Sequence, residues 1–190
     1  MDSETTPYLY LDTNVILDVI RGRKRASISL IEKVKRSELK ACTSAFSLLE
    51  LIDKEQEYTL VWHMLRDGYS FDEILRKRSD RNLSEKELLE AFDKVDRVFT
   101  VQYKKHIDLY YLDNEGWDKA IELMQTLNLT ARDAIHLATA LMAGCDLLVS
   151  NDQNFLKNAE KVIRVSTPDE VNNNILQVLR GKSKSQNYRK

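Results

Sequence analysis

The stretch Thr130-Ala-Arg-Asp133-Ala-Ile-His136-Leu-Ala-Thr-Ala140, running on to Gly144 and then to Leu147-Leu-Val149 and Ser150-Asn151-Asp152, decides the fold. Thr130 is placed to cap a helix. Asp133 is its third residue, where a carboxylate favours the positive end of the helix dipole. The apolar residues that follow continue the helix to Gly144. Leu147–Val149 is a short apolar strand, closed by the polar Ser150, Asn151 and Asp152. A helix feeding a buried strand that stops on an acid is a unit of a parallel sheet.

The same unit recurs towards the amino terminus. Tyr8–Leu11 is strand-like and ends abruptly at Asp12-Thr13-Asn14, after which Val15–Ile20 reads as helix. Arg21-Gly-Arg23-Lys24-Arg25 interrupts, and Ile28, Ile31 and Val34 resume a helical spacing. Leu39–Thr43 is a second strand, with Thr43 or Ser44 placed to cap a helix through Phe46, Leu49 and Ile52. From about Tyr58 to Tyr103 the pattern is helical, with a capping-box signature at Ser84–Glu87 and an apolar stripe of Leu88, Phe92, Val95 and Phe99. Ile107–Leu112 reads as strand, Trp117–Leu127 as helix, Val162–Val165 as strand, and a last helix starts at Pro168 behind Thr167.

The expectation is therefore an α/β protein: a three-layer α/β/α sandwich with a mainly parallel central sheet. Residues 1–180 form one domain with a helical insertion at about 58–103, between the second and third strands. Residues 181–190 are a basic tail expected to be disordered.

Composition excludes several classes. With 43% hydrophobic and 31% charged residues the chain can pack a core, and two prolines and five glycines favour long regular elements. Lys and Arg number 29 against 30 for Asp and Glu, so a strongly basic nucleic-acid-binding domain is excluded, though a local basic patch is not. Cys42 and Cys145 stand alone in apolar surroundings, without a metal-binding or paired spacing, and read as buried reduced thiols. The first residues resemble no secretory signal and no apolar run reaches a membrane span, so a cytoplasmic location is expected.

Chemistry in a parallel sheet collects beyond the carboxyl ends of the strands, and Asp12 and Asp152 both sit there. Each candidate acid also has a plain structural role. Asp12 and Asp152 could cap the helices that follow, Asp133 could serve its own helix, and Glu50, beside Asp53, points away from Leu48, Leu49, Leu51 and Ile52. Together, four carboxylates gathered at one edge would repel unless a cation balanced them, and hard Mg²⁺ or Mn²⁺ suits oxygen ligands. Metal-assisted hydrolysis is the implied chemistry.

Four segments in order resemble the successive motifs of PIN-domain proteins, including toxin ribonucleases of the VapC type. They are Leu11-Asp12-Thr-Asn14-Val-Ile-Leu-Asp18, Thr43-Ser-Ala-Phe-Ser47-Leu-Leu-Glu50-Leu51, Ala131-Arg-Asp133-Ala-Ile-His136-Leu-Ala-Thr-Ala140 and Leu147-Leu-Val-Ser150-Asn-Asp152-Gln-Asn-Phe155. The resemblance implies that Asp12, Glu50, Asp133 and Asp152 are the metal-binding and catalytic set. Thr13 or Asn14 would orient a metal-bound water, and Ser150 would support the last carboxylate. It further implies Mg²⁺- or Mn²⁺-dependent cleavage of RNA, a homodimer, and a small inhibitory antitoxin as partner. The helical stretch Tyr58–Tyr103 is longer than the corresponding region of compact members.

Arg21, Arg23, Lys24 and Arg25 follow the first motif closely and could hold RNA phosphates, or form a solvated loop. His136 lies one turn past Asp133 in an apolar run and reads as a packed histidine. Two other functions compete. An aspartyl-nucleophile phosphatase would use Asp12, but that chemistry wants a second acid where this chain has Asn14. A non-catalytic RNA-binding or assembly module would keep the fold without turnover.

Overall fold

Side chains alternate across a strand, and that alternation sets the layers. In β1 (Tyr8–Leu11), Tyr10 points into one apolar cluster while Leu9 and Leu11, equally buried, point to the other face. A computed structural model describes residues 6–78 and 83–180 and divides the chain into two compact units. One runs to Ser47 and resumes at Lys104; the other is Leu48–Tyr103.

The first unit holds the sheet. β1 pairs in parallel with β2 (Lys40–Ser44) on one side and β4 (Leu147–Val149) on the other. β3 (Ile107–Tyr110) extends the β2 side and β5 (Val165–Ser166) the β4 side, giving the order β3-β2-β1-β4-β5, parallel throughout. The last strand is thus shorter and later than the Val162–Val165 run suggested, because Val162 and Ile163 close a turn by donating to Ala159 O.

This order reverses direction once. The chain steps from β1 to β2 to β3, then returns to lay β4 on the free side of β1. Right-handed crossovers running in opposite directions fall on opposite faces. Hence α1 (Thr13–Ile20), α2 (Arg25–Lys35) and α9 (Pro168–Arg180) belong to one layer, with the Asn172 side chain donating to Ala26 O at 2.8 Å. α6 (Asn114–Leu127), α7 (Ala131–Met142) and α8 (Gln153–Ala159) cover the other, where Leu123, Leu137 and Phe155 pack with Tyr10, Cys42 and Leu148. The expected three-layer sandwich is observed in this unit.

Cys42 and Cys145 are not isolated from one another. Both are buried, with sulfurs 3.3 Å apart although 103 residues separate them. The Cys145 thiol holds Cys42 below the usual thiol range, while Cys145 itself is pushed up by Cys42 and by burial.

The second unit is helical. α3 (Ala45–Arg66) begins at the end of β2 and supplies most of it, followed by α4 (Phe71–Lys77), α5 (Glu85–Arg97) and a π-helical turn, Val98–Tyr103. Leu60, Met64 and Ile74 form its apolar cluster. α4 and α5 both start on reciprocal capping boxes, Ser70 with Glu73 and Ser84 with Glu87. The stripe expected on α5 splits. Val95 and Phe99 are buried within the chain, as is Ala91, whereas Leu88 and Phe92 are exposed beside Leu89. The four positions stay within about 60° of one another around a helix, so the split runs along the axis: the carboxyl-terminal half of the stripe is covered and the amino-terminal half is not. Among the described residues no helix is long and apolar enough to cross a membrane.

Candidate active site

The reversal in strand order falls between β1 and β4. At such a switch point the loops after two adjacent strands part in opposite directions and leave a crevice beyond the carboxyl ends. Asp12 follows β1 and Asp152 follows β4, so both stand at this crevice.

Asp12 occupies the N-cap position of α1, yet its side chain makes no capping hydrogen bond. Only 6% exposed, it turns to the next loop instead: Oδ2 accepts from Ser150 Oγ at 2.6 Å and from Asn14 Nδ2 at 2.5 Å. Ser150 Oγ also accepts from the Asp152 N–H at 3.0 Å, so one hydroxyl ties the two acids' loops together. Asp152 does cap its helix, with Oδ1 accepting from the Asn154 and Phe155 N–H groups at 2.9 and 3.1 Å, and it is exposed.

Asp133 lies in the first turn of α7, half-buried, its N–H donating to Thr130 Oγ1 at 3.2 Å. Three residues on, His136 fixes which end of α7 faces the crevice. It is 3% exposed, with Nδ1 2.6 Å from Tyr10 Oη and Nε2 3.5 Å from Thr13 Oγ1 and 3.9 Å from Asp12 Oδ1. The opposite end of α7 leads to Asp146, whose N–H donates to Tyr8 O at the start of β1. Asp133 therefore belongs to the carboxyl edge. His136 is packed as expected, against the rings of Tyr10, Phe46 and Phe155. Burial first, and the Asp12 carboxylate second, push the Tyr10 phenol well above its ordinary range. Tyr10 Oη and His136 Nδ1 share one hydrogen bond, which fixes the ring with Nε2 towards Thr13 and Asp12.

Glu50 belongs to the helical unit. Its surroundings differ from the wheel reading: Leu49, expected inside, is 63% exposed, while Glu50 is half-buried.

The periodicity-based reading overlooked Asp18. It is 4% exposed, with Oδ2 accepting from Asn151 Nδ2 at 2.9 Å and Oδ1 2.9 Å from Arg23 Nη2. One signal pointed to it: a single acid inside the apolar run Val15-Ile-Leu-Asp18-Val-Ile20. Asn151 was likewise passed over, though it stands between Ser150 and Asp152. Arg23, Lys24 and Arg25 are exposed, and Arg21 is half-buried.

Among the described residues, no three of His, Cys, Asp and Glu stand close enough to hold a metal ion. In type, Asp12, Asp133 and Asp152 are hard oxygen donors, the kind a divalent cation takes, and they stand on one edge of the sheet. The thiols, which would favour softer metals, lie together elsewhere.

An all-parallel doubly wound sheet with acids at its switch point defines an α/β protein with an acidic crevice. The chain belongs to the PIN-domain family, whose family model matches residues 9–161 and whose members are generally nucleases. Among solved structures it is similar to VapBC2 from Rickettsia felis bound to a DNA fragment from its promoter, at 14% identity and TM-score 0.53, covering 84% of this chain and 98% of that one. It is also similar to VapBC-1 from nontypeable Haemophilus influenzae, at 13% identity and TM-score 0.50, covering 85% and 98%. At these identities the likeness speaks for the fold. No curated protein sequence matches the chain.

Proposed function

We propose that this protein is a cytoplasmic Mg²⁺- or Mn²⁺-dependent endoribonuclease, the toxin of a toxin–antitoxin pair. The observation that carries the reading is the pairing of Asp12 and Asp152 at the β1/β4 switch point of a PIN domain, bridged by Ser150. The resemblance to VapBC complexes supports the antitoxin partner, and the exposed Leu88, Leu89 and Phe92 support a homodimer.

In this reading Asp12, Asp133 and Asp152 would hold the cation, joined by Glu50 through its motif. The cation, when bound, activates water and offsets charge on the phosphate. The chain's own groups do the rest. Ser150 and Asn14 fix the Asp12 carboxylate by donating to one of its oxygens. His136, held by Tyr10, packs beside Thr13 and Asp12 and keeps that side of the carboxylate dry. Arg21, Arg23, Lys24 and Arg25 would receive the RNA backbone.

The test is cleavage of an end-labelled single-stranded RNA with Mg²⁺, with Mn²⁺ and with chelator. Metal-dependent internal cuts support the reading. Binding without cleavage under every condition would instead favour the non-catalytic RNA-binding module, and turnover of an aryl phosphate alone would favour a phosphatase.

A further inference from the structure

The basic loop after α1 is built into the crevice. Gly22, at φ +61°, turns the chain back, and a side chain at this backbone conformation would be strained. The turn is closed by the Arg23 N–H donating to Asp18 O at 2.8 Å. Arg23 Nη2 then lies 2.9 Å from Asp18 Oδ1, and Lys24 Nζ 3.9 Å from Oδ2. A buried carboxylate needs such partners, and Ser27 Oγ adds another at 3.5 Å.

From Asp18 the bonding continues to the catalytic edge. Asn151 Nδ2 donates to Asp18, the Asn151 N–H donates to Asn14 Oδ1 at 3.0 Å, and Asn14 Nδ2 donates to Asp12. One chain of hydrogen bonds therefore links Arg23 to Asp12. Arg23, Lys24 and Asp152 all line the same open cleft of about 630 Å³. Arg23 and Lys24 offset Asp18 and Asp152 on the lining of the cleft, and the Arg23 side chain remains 49% exposed.

Resting on the nuclease reading, we infer that Asp18 is a positioning residue that holds Arg23 at the cleft mouth to grip a phosphate of the RNA strand lying across Asp152. A guanidinium has five N–H donors, so it can pair with a carboxylate along one edge and still receive a phosphate along another. Holding it in advance lowers the ordering cost of binding.

The experiment measures steady-state cleavage of a labelled single-stranded RNA, and metal-free binding of the same RNA over a KCl series. Arg23→Gln should raise KM by about tenfold with kcat little changed, and make the salt dependence shallower by about 0.7, the loss of one phosphate contact. Arg23→Lys should keep the salt slope but only part of the affinity. Asp18→Asn should raise KM in the same direction while leaving the slope intact, and adding it to Arg23→Gln should cost nothing more, because the two act as one unit. Gly22→Ala displaces the loop without touching a charge or a buried group. It should behave as Asp18→Asn does, and it decides the matter if Asp18→Asn fails to fold. Wild-type KM and slope in Arg23→Gln, or full additivity with Asp18→Asn, overturns the inference and leaves the nuclease reading standing. A wild-type protein that neither binds nor cleaves RNA removes both.

Discussion

The two units handle charge in opposite ways. In the sheet unit, Asp12 and Asp18 are buried and joined through Asn14, Ser150 and Asn151 across segments up to 138 residues apart in sequence, and His136 is buried against Tyr10 and Thr13. In the helical unit, polar contacts are mostly local: capping boxes at Ser70 and Ser84, and the Lys54–Glu57 and Lys86–Glu90 pairs along their own helices. Burying polar groups carries a desolvation cost, and a network that meets it fixes geometry, as a reaction centre requires. Local surface pairs add little and fix less. Non-local pairs occur here too, His63 with Glu87 and, with its carboxylate buried, Glu55 with Lys94.

The largest test of this contrast is Asp133→Asn. It keeps the shape and removes one charge from the crevice. Cleavage should fall by roughly 10²–10³ or more, as when a transition-state-stabilising group is lost. The apo protein should melt at the wild-type temperature or slightly above, and the rise in Tm on adding Mn²⁺ should disappear. A purely structural Asp133 would instead cost about 0.3–1 kcal/mol and leave both metal response and cleavage unchanged.

Next in size is Glu55→Gln, which takes the charge from the buried member of the Glu55–Lys94 pair. With Lys94 half exposed, the loss should be about 1–3 kcal/mol, read as a lowered Tm. A variant as stable as wild type would make the helical unit's polar contacts uniformly superficial, and the contrast sharper.

Thr130→Ala removes the cap of α7. It should cost about 1 kcal/mol by thermal melting while the Mn²⁺ shift persists. Loss of that shift would mean that the cap, not Asp133, organises this corner.

The smallest effect is acid sensitivity in the helical unit. Hydrogen bonds from the Ser84 hydroxyl and N–H, with a further contribution from His63, hold the Glu87 carboxyl below its ordinary value. A depressed carboxyl contributes stability that is full above its unfolded pKa and vanishes as pH falls through the folded one. α5 should therefore loosen only in acid, below about pH 4. Circular dichroism between pH 6 and 3 should show an acid limb that Glu87→Gln flattens, and an unchanged limb would remove Glu87 as its source.

Much of the molecule was legible in advance because its signals are local. The capping box at Ser84, the helix from Thr130 and the strands ending at Asp12 and Asp152 follow from propensity, period and turn chemistry within a few residues. Where the reading failed, the deciding contact was distant. The split of the Leu88–Phe99 stripe, the exposure of Leu49 and the meeting of Cys42 with Cys145 depend on what packs against each residue.

By itself the sequence determined the alternation of helix and strand, the parallel sheet, and the acids that end β1 and β4. Backbone conformation and strand termination are set by neighbouring residues. Only the tertiary structure decided that β4 lies beside β1, so that Ser150 can bridge two acids, and that Asp18 is buried against Asn151 with Arg23 in its grip. Strand order is chosen by the packing of whole layers, and the environment of a buried carboxylate by groups that no window of neighbouring residues contains.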